Sequence, residues 1–322
     1  MEEKWLIGAD LGGTTTKLAF VREDGELLHK WEIRTDHSSG GKNILKNISQ
    51  SVKEKLSLLG QPIRHIEGIG IGAPGPVDVN TGILHNVPNL PWKDDYPLKE
   101  MLEKEMGLPV RADNDANCAA LGEMWKGAGI GADNLICVTI GTGIGGGVIA
   151  NGRIVHGSGG AAGEIGHFSA ITAGGARCNC GKTGCLETIA SATGIIRQAK
   201  EVLNQPNPPA TKLEEIYRAS GAIAAKDVFD AAISGDPSAL SIVENAAFYL
   251  GLALANASNI LNPEKVVLGG GVSNAGEFFM KLVIKSFRQF AFPRVFQTTA
   301  IELASLGNNA GVIGAAGLLK HP

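Results

Sequence analysis

Apolar residues in this chain fall into short runs, rich in Val, Ile and Leu, that glycines close, and two of these runs share one design. Residues 6–21 (LIGADLGGTTTKLAFV) and 135–155 (LICVTIGTGIGGGVIANGRIV) each read as a strand, a Gly/Thr turn and a second strand. Their spacing predicts two related halves rather than a tandem array. After the first hairpin, residues 43–59 have helical spacing, IEGIGIGAPG (66–75) reads as a strand, and a Pro-rich loop runs through Pro97 to a helical stretch ending at Met106. A strand in VRADNDAN (110–117) then leads into a helix of small residues. The second half opens on a glycine-rich loop region, 157–184, followed by helices that NQPNPPATK (204–212) interrupts. A long helix is signalled by Asp236 as N-cap and Pro237 in the first position, and it stops at LNP (261–263). KVVLGGGVS (265–273) is a buried strand ending in three glycines, with a helix starting near Ala275. Strands alternating with helices make the chain α/β.

At 322 residues the chain has room for two domains. Its net charge of -3 offers no basic field for a phosphodiester backbone, which argues against nucleic acid or an anionic membrane as partner. Glycine numbers 44, about twice average usage, without any G-X-Y period, so it serves turns and close backbone approach. MEEKWLIGAD lacks a basic segment followed by an apolar one, and the longest uncharged run, NLICVTIGTGIGGGVIANG, is too rich in Gly and Thr for a membrane span. A cytoplasmic location is expected. In that reducing setting five cysteines, three of them within eight positions, speak for metal binding or reactivity over disulfides.

Two pattern matches mislead. GTGIGG (141–146) satisfies G-x-G-x-x-G, but a strand follows where a dinucleotide fingerprint needs a helix. ARCNCGKT (176–183) resembles a relaxed phosphate loop, yet no strand precedes it, and Lys182 reads as a solvated loop lysine. The stronger candidate is DLGGTTTK (10–17), whose tight hairpin can aim the N–H groups of Gly12, Gly13 and Thr14 at one anion, with Asp10 at the strand end able to hold Mg through water. The alternative is a plain glycine hairpin with a satisfied Asp. TIGTGIGGG repeats the device with Thr139 and Thr142, and LGGGVS (268–273) would let an adenine lie against bare backbone.

DLGGTTTK, GAPGPVD (72–78), NDAN (114–117), TIGTGIGGG, GEIGH (163–167), CNCGKTGCLE (178–187) and LGGGVS stand in this order along the whole chain. In this the chain resembles sugar kinases of the ROK family (repressor, open reading frame, kinase), and among them the bacterial glucokinases. The resemblance implies the actin-like ATPase (ribonuclease H-like) fold, with an active-site cleft between two α/β domains. The smaller would comprise residues 1–117 with about 305–322, and the larger, 118–304, would carry a zinc-binding loop and the nucleotide site. It also implies ATP with Mg as phosphoryl donor. Nucleotide contacts would come from Asp10, Gly12, Gly13, Thr14, Thr15, Lys17, Thr142, Gly143, Gly269 and Gly270, and sugar contacts from Gly75, Asn114, Asp115, Glu164, His167 and Glu187. Ionised carboxylates and an amide are the groups that fix a polyol by paired hydrogen bonds. Asp115 would be the base for the 6-hydroxyl; its competing role is helix N-cap, and Asp113, where relatives often carry Glu, would be structural.

His167, Cys178, Cys180 and Cys185 form H-x10-C-x-C-x4-C, a Cys3His set suited to a closed, structural tetrahedral zinc. Such a metal would staple the loop that carries Glu164 and Glu187, leaving the second nitrogen of His167 for the sugar. Cys118 and Cys137 read as core residues. Substrates would be glucose and ATP, in a homodimer or higher homo-oligomer. N-acetylglucosamine, N-acetylmannosamine, mannose or fructose are alternative sugars. A sugar-responsive repressor would need a DNA-binding helix-turn-helix ahead of Asp10, where the sequence has little room.

Overall fold

The computed structural model describes residues 4–85, 87, 89–206 and 210–321. The acidic opening at 1–3, part of the Pro-rich loop and the middle of the 204–212 loop lie outside them. The strands are β1 (Trp5–Leu11), β2 (Thr15–Arg22), β3 (Leu27–Arg34), β4 (Ile66–Ala73), β5 (Val77–Asp78), β6 (Ile83–Leu84), β7 (Val110–Asn114), β8 (Leu135–Ile140), β9 (Ile144–Ala150), β10 (Arg153–Ile154), β11 (Lys265–Gly269) and β12 (Ala300–Leu303). The helices are α1 (Ile44–Leu58), α2 (Leu98–Met106), α3 (Asp115–Lys126), α4 (Glu187–Ala190), α5 (Ala192–Leu203), α6 (Lys212–Ser220), α7 (Ala225–Ile233), α8 (Pro237–Leu261), α9 (Gly276–Phe290), α10 (Pro293–Thr298) and α11 (Ala310–Gly317).

Two five-stranded sheets repeat one plan, with orders β3-β2-β1-β4-β7 and β10-β9-β8-β11-β12. In each, a hairpin strand and its neighbours run antiparallel, while the strands on the other side run parallel: β1 with β4 and β7, β8 with β11 and β12. The two hairpin motifs read from the sequence thus sit at equivalent positions, as expected of related halves. The chain divides into two compact units, Met1–Asp133 with Gly147–Gly163 and Ser305–Pro322, and Asn134–Gly146 with Glu164–Ala304. A division at 117–118 would cut α3, which stays whole in the first unit.

Within the first unit, one face of the sheet is covered by α1 and α2 through Ile48, Val52, Leu98 and Leu102. α11 lies on β1 and β4 and against α3 with almost no side-chain volume between. A Cβ at Gly8 would stand 1.8 Å from the Val312 carbonyl oxygen, and one at Gly314 would stand 1.6 Å from that of Cys118. Much of the glycine excess therefore serves backbone contact. Gly8→Ala is expected to lower stability by about 3 kcal/mol, since a rigid strand and helix must separate to admit one methyl group; urea unfolding measures it.

The second unit packs its helices around α8, whose Asp236 cap is as expected: Asp236 Oδ1 accepts from the N–H groups of Ser238 (2.9 Å) and Ala239 (3.0 Å). Its Oδ2 accepts from Leu213 N–H at 2.8 Å, so one carboxylate also anchors α6. Among the described residues α8 alone has the length and hydropathy to cross a membrane. Its Ile242, Val243, Ala246, Leu250 and Leu254 are buried in this core, which accounts for that hydropathy.

Candidate active site

In the first unit the candidate residues gather at the carboxyl ends of β1, β4 and β7, where α/β sheets present their ligand-binding loops. β1 pairs Asp10 with Lys17 and Leu11 with Thr16 across the hairpin, and Gly12 N–H closes the turn onto the Thr15 carbonyl at 3.1 Å. Lys17 Nζ lies 3.3 Å from Asp10 Oδ2, countering its charge. Beyond β4, Gly75 takes φ of 104°, a conformation open to glycine, and its carbonyl accepts from Asn114 Nδ2 at 3.1 Å.

The junction of β7 and α3 decides a point the sequence left open. Asn114, not Asp115, is the N-cap: its Oδ1 accepts from the N–H groups of Ala116 (2.8 Å) and Asn117 (3.3 Å). Asp115 is the first helical residue, and its Oδ1 accepts from Ala116 N–H at 2.8 Å. Asp113 is buried and structural, as expected, with His156 as its ion-pair partner at 2.7 Å. The fully buried Cys118 thiol sits beneath these groups. Burial first, and then the charges of Asp113, Asp10 and Asp115, push its pKa well above the ordinary range. The thiol therefore stays neutral, an inert core group.

In the second unit the turn between β8 and β9 is held from two sides. Gly141 N–H donates to the Gly143 carbonyl (2.9 Å), and Thr193 Oγ1 donates to the Thr142 carbonyl (2.7 Å). Glu187, at the start of α4, accepts from Ile144 N–H through Oε2 at 2.8 Å. A Cβ on Gly143 would come within 2.3 Å of that oxygen, so this glycine makes room for the carboxylate. At the end of β11, Gly270 lies so close to β8 that its Cβ would fall 2.4 Å from the Ile140 carbonyl oxygen. GTGIGG runs on into β9, so it is not a dinucleotide fingerprint.

The ligand atoms of His167, Cys178, Cys180 and Cys185 all lie within 4.8 Å of one another. Cys178 Sγ is 3.7 Å from His167 Nδ1, and Cys180 Sγ is 3.6 Å from Cys185 Sγ. Zinc–sulfur bonds of about 2.3 Å imply tetrahedron edges of about 3.8 Å, so the set fits that ion. Desolvation pushes the Cys178 thiol up to about 12, so a bound cation is what would keep it a thiolate. His167 Nε2 faces Glu164 Oε2 at 3.7 Å, while Glu187 Oε1 lies 3.8 Å from Cys178 Sγ. The three expected sugar contacts of this unit therefore adjoin one potential metal centre. Lys182 is exposed and donates from Nζ to the His167 carbonyl at 2.9 Å, a loop tie that suits its reading as no phosphate-loop lysine.

Sequence reasoning missed His156, Thr193 and the tie between Glu187 and Ile144. Each involves a side-chain hydrogen bond to a group more than 40 positions away. No local pattern marks them.

The ROK family profile matches residues 6–321. A glucokinase of Halalkalibacterium halodurans is 51% identical over 321 residues, covering 100% of this chain and 96% of that one. A glucokinase of Thermotoga maritima is 37% identical over 319 residues, covering 98% and 97%. The crystal structure of a ROK family glucokinase from Streptomyces griseus in complex with glucose and AMPPNP is similar with a TM-score of 0.80 at 36% identity, covering 98% of each chain. With paired hairpin sheets, the Asn-Asp helix start and the Cys3His loop set along its full length, this chain belongs to the ROK family and has the two-domain actin-like ATPase fold of its sugar kinases.

Proposed function

We propose that the chain is a glucokinase, which transfers the γ-phosphoryl group of ATP to the 6-hydroxyl of glucose. The observation that carries this is the 51% identity, over its full length, with a curated glucokinase. The chemistry of the candidate residues supports it. Gly75, Asn114 and Asp115, together with Glu164, His167 and Glu187, supply the acceptors and donors that a hexose with adjacent hydroxyls needs. Asp115 takes the proton of the 6-hydroxyl as that oxygen bonds to the γ-phosphorus and the bond to ADP breaks. Because Asn114 already caps α3, the Asp115 carboxylate is not required for that task. The turns of Gly12, Gly13, Thr14 and Thr15 and of Thr142 and Gly143 bind the phosphates, with Lys17 alongside, and Gly269 and Gly270 let adenine approach backbone. Asp10, partly exposed beside Lys17, fits a hydrated Mg bound with ATP, which when present neutralises phosphate charge.

His167, Cys178, Cys180 and Cys185 hold a structural zinc, with His167 bound through Nδ1 and Nε2 left for the sugar. Metal analysis of the purified protein is expected to find one zinc per chain; well under one would remove this assignment. The protein acts in the cytoplasm as a homodimer or larger homo-oligomer, without nucleic acid or membrane partners. A coupled ADP-release assay across glucose, mannose, fructose, N-acetylglucosamine and N-acetylmannosamine tests the substrate. Glucose is expected to give the highest kcat/KM, and a tenfold preference for another sugar would overturn the reading.

A further inference from the structure

Asp113 is only 2% exposed, and both of its oxygens are engaged. Oδ1 accepts from Asn114 N–H at 2.6 Å and from Asn117 Nδ2 at 2.9 Å, while Oδ2 accepts from His156 Nε2 at 2.7 Å. Asn114 in turn caps α3 and reaches the Gly75 carbonyl. A connected set of hydrogen bonds therefore runs from the loop after β10, through a buried carboxylate, into the turn that carries Asp115 and the loop that carries Gly75.

A buried carboxylate is costly unless donors or a cation answer it, and losing one partner of such a pair leaves the other unsatisfied. Asp10, whose charge Lys17 counters, and Asp115 act on the same buried Cys118 thiol as Asp113. His156 is the donor to Oδ2, and that hydrogen bond to Asp113 raises the imidazole pKa above its ordinary value, against the opposing effect of burial. Without His156, Asp113 must protonate or turn toward water. Either response loosens its hold on Asn114 N–H, one residue before Asp115.

We infer that His156 is a positioning residue for phosphoryl transfer: by fixing Asp113, it sets the turn at 113–117 and thereby the placement of Asp115. The inference rests on Asp115 as the base. It also accounts for a histidine that no sequence motif marks.

The test compares steady-state kinetics of His156→Ala, His156→Gln, Asp115→Asn and the double variant Asp115→Asn/His156→Ala, with glucose binding followed by calorimetry. His156→Ala is expected to lose about 10- to 100-fold in kcat, the scale for removing a group that orients an active-site residue, while KM for glucose stays within about twofold. His156→Gln, which offers a neutral N–H at similar reach, should recover most of that loss. The double variant should be no slower than Asp115→Asn alone, because the two act as one unit. Should His156→Ala be recovered poorly, His156→Asn, whose amide stops short of Oδ2, is expected to show the same kcat loss. Wild-type kcat in the His156 variants beside a slow Asp115→Asn would overturn the positioning role and leave the base assignment standing. Losses that multiply in the double variant, or a raised KM at unchanged kcat, would overturn it as well. Wild-type turnover in Asp115→Asn would overturn both.

Discussion

Asp115→Asn is expected to lower kcat by about 10² to 10⁴, the usual scale for losing a general base, with the fold and glucose affinity largely retained. That loss corresponds to about 3 to 5 kcal/mol of barrier. The fold should survive because the N-cap belongs to Asn114, whose hydrogen bonds to Ala116 and Asn117 do not involve the Asp115 carboxylate. The amide is also nearly isosteric, so packing around Cys118 is preserved. Turnover at saturating glucose and ATP is the decisive measurement. A variant that matches the wild type there would remove Asp115 from the chemistry.

Cys180→Ser is expected to lower the melting temperature by at least about 5 °C and to raise KM for glucose by about 10- to 100-fold. Cys180 is exposed, so the substitution creates no cavity, and the effect must come from the metal set. A closed tetrahedral site needs all four ligands. Losing one frees the loop that carries Glu164, His167 and Glu187, and glucose must then supply the ordering free energy itself. The structure adds a consequence for ATP. Glu187 holds Ile144 N–H beside the Thr142–Gly143 turn, so loosening this loop should also raise KM for ATP, by a few-fold. The DLGGTTTK turn is closed by its own hairpin and by Lys17, and should be unaffected. Wild-type melting temperature together with wild-type KM for glucose in Cys180→Ser would refute the structural-zinc role.

What the sequence by itself determined is whatever short-range chemistry can encode. The glycine-closed hairpins, the long helix between Asp236 and LNP, and the crowding of Cys178, Cys180 and Cys185 are all legible because each signal lies within a few residues of the structure it produces. Turn sterics, caps and metal-ligand spacing act at that range. The order of motifs along the chain also sufficed to point to a kinase family. The tertiary structure alone decided the matters that depend on which distant groups meet. It assigned the α3 cap to Asn114 rather than Asp115, because β7 delivers the chain at the angle that brings the Asn side chain onto Ala116 N–H. It gave Gly8 and Gly314 their reason, in the backbone contacts of α11, which join Gly8 to Val312 and Gly314 to Cys118, far apart in the chain. It paired His156 with Asp113, and Glu187 with Ile144, each across 43 positions. A buried carboxylate takes whatever partner the packing brings within reach, and that partner is set by sheet order and helix docking, to which no local pattern of residues refers.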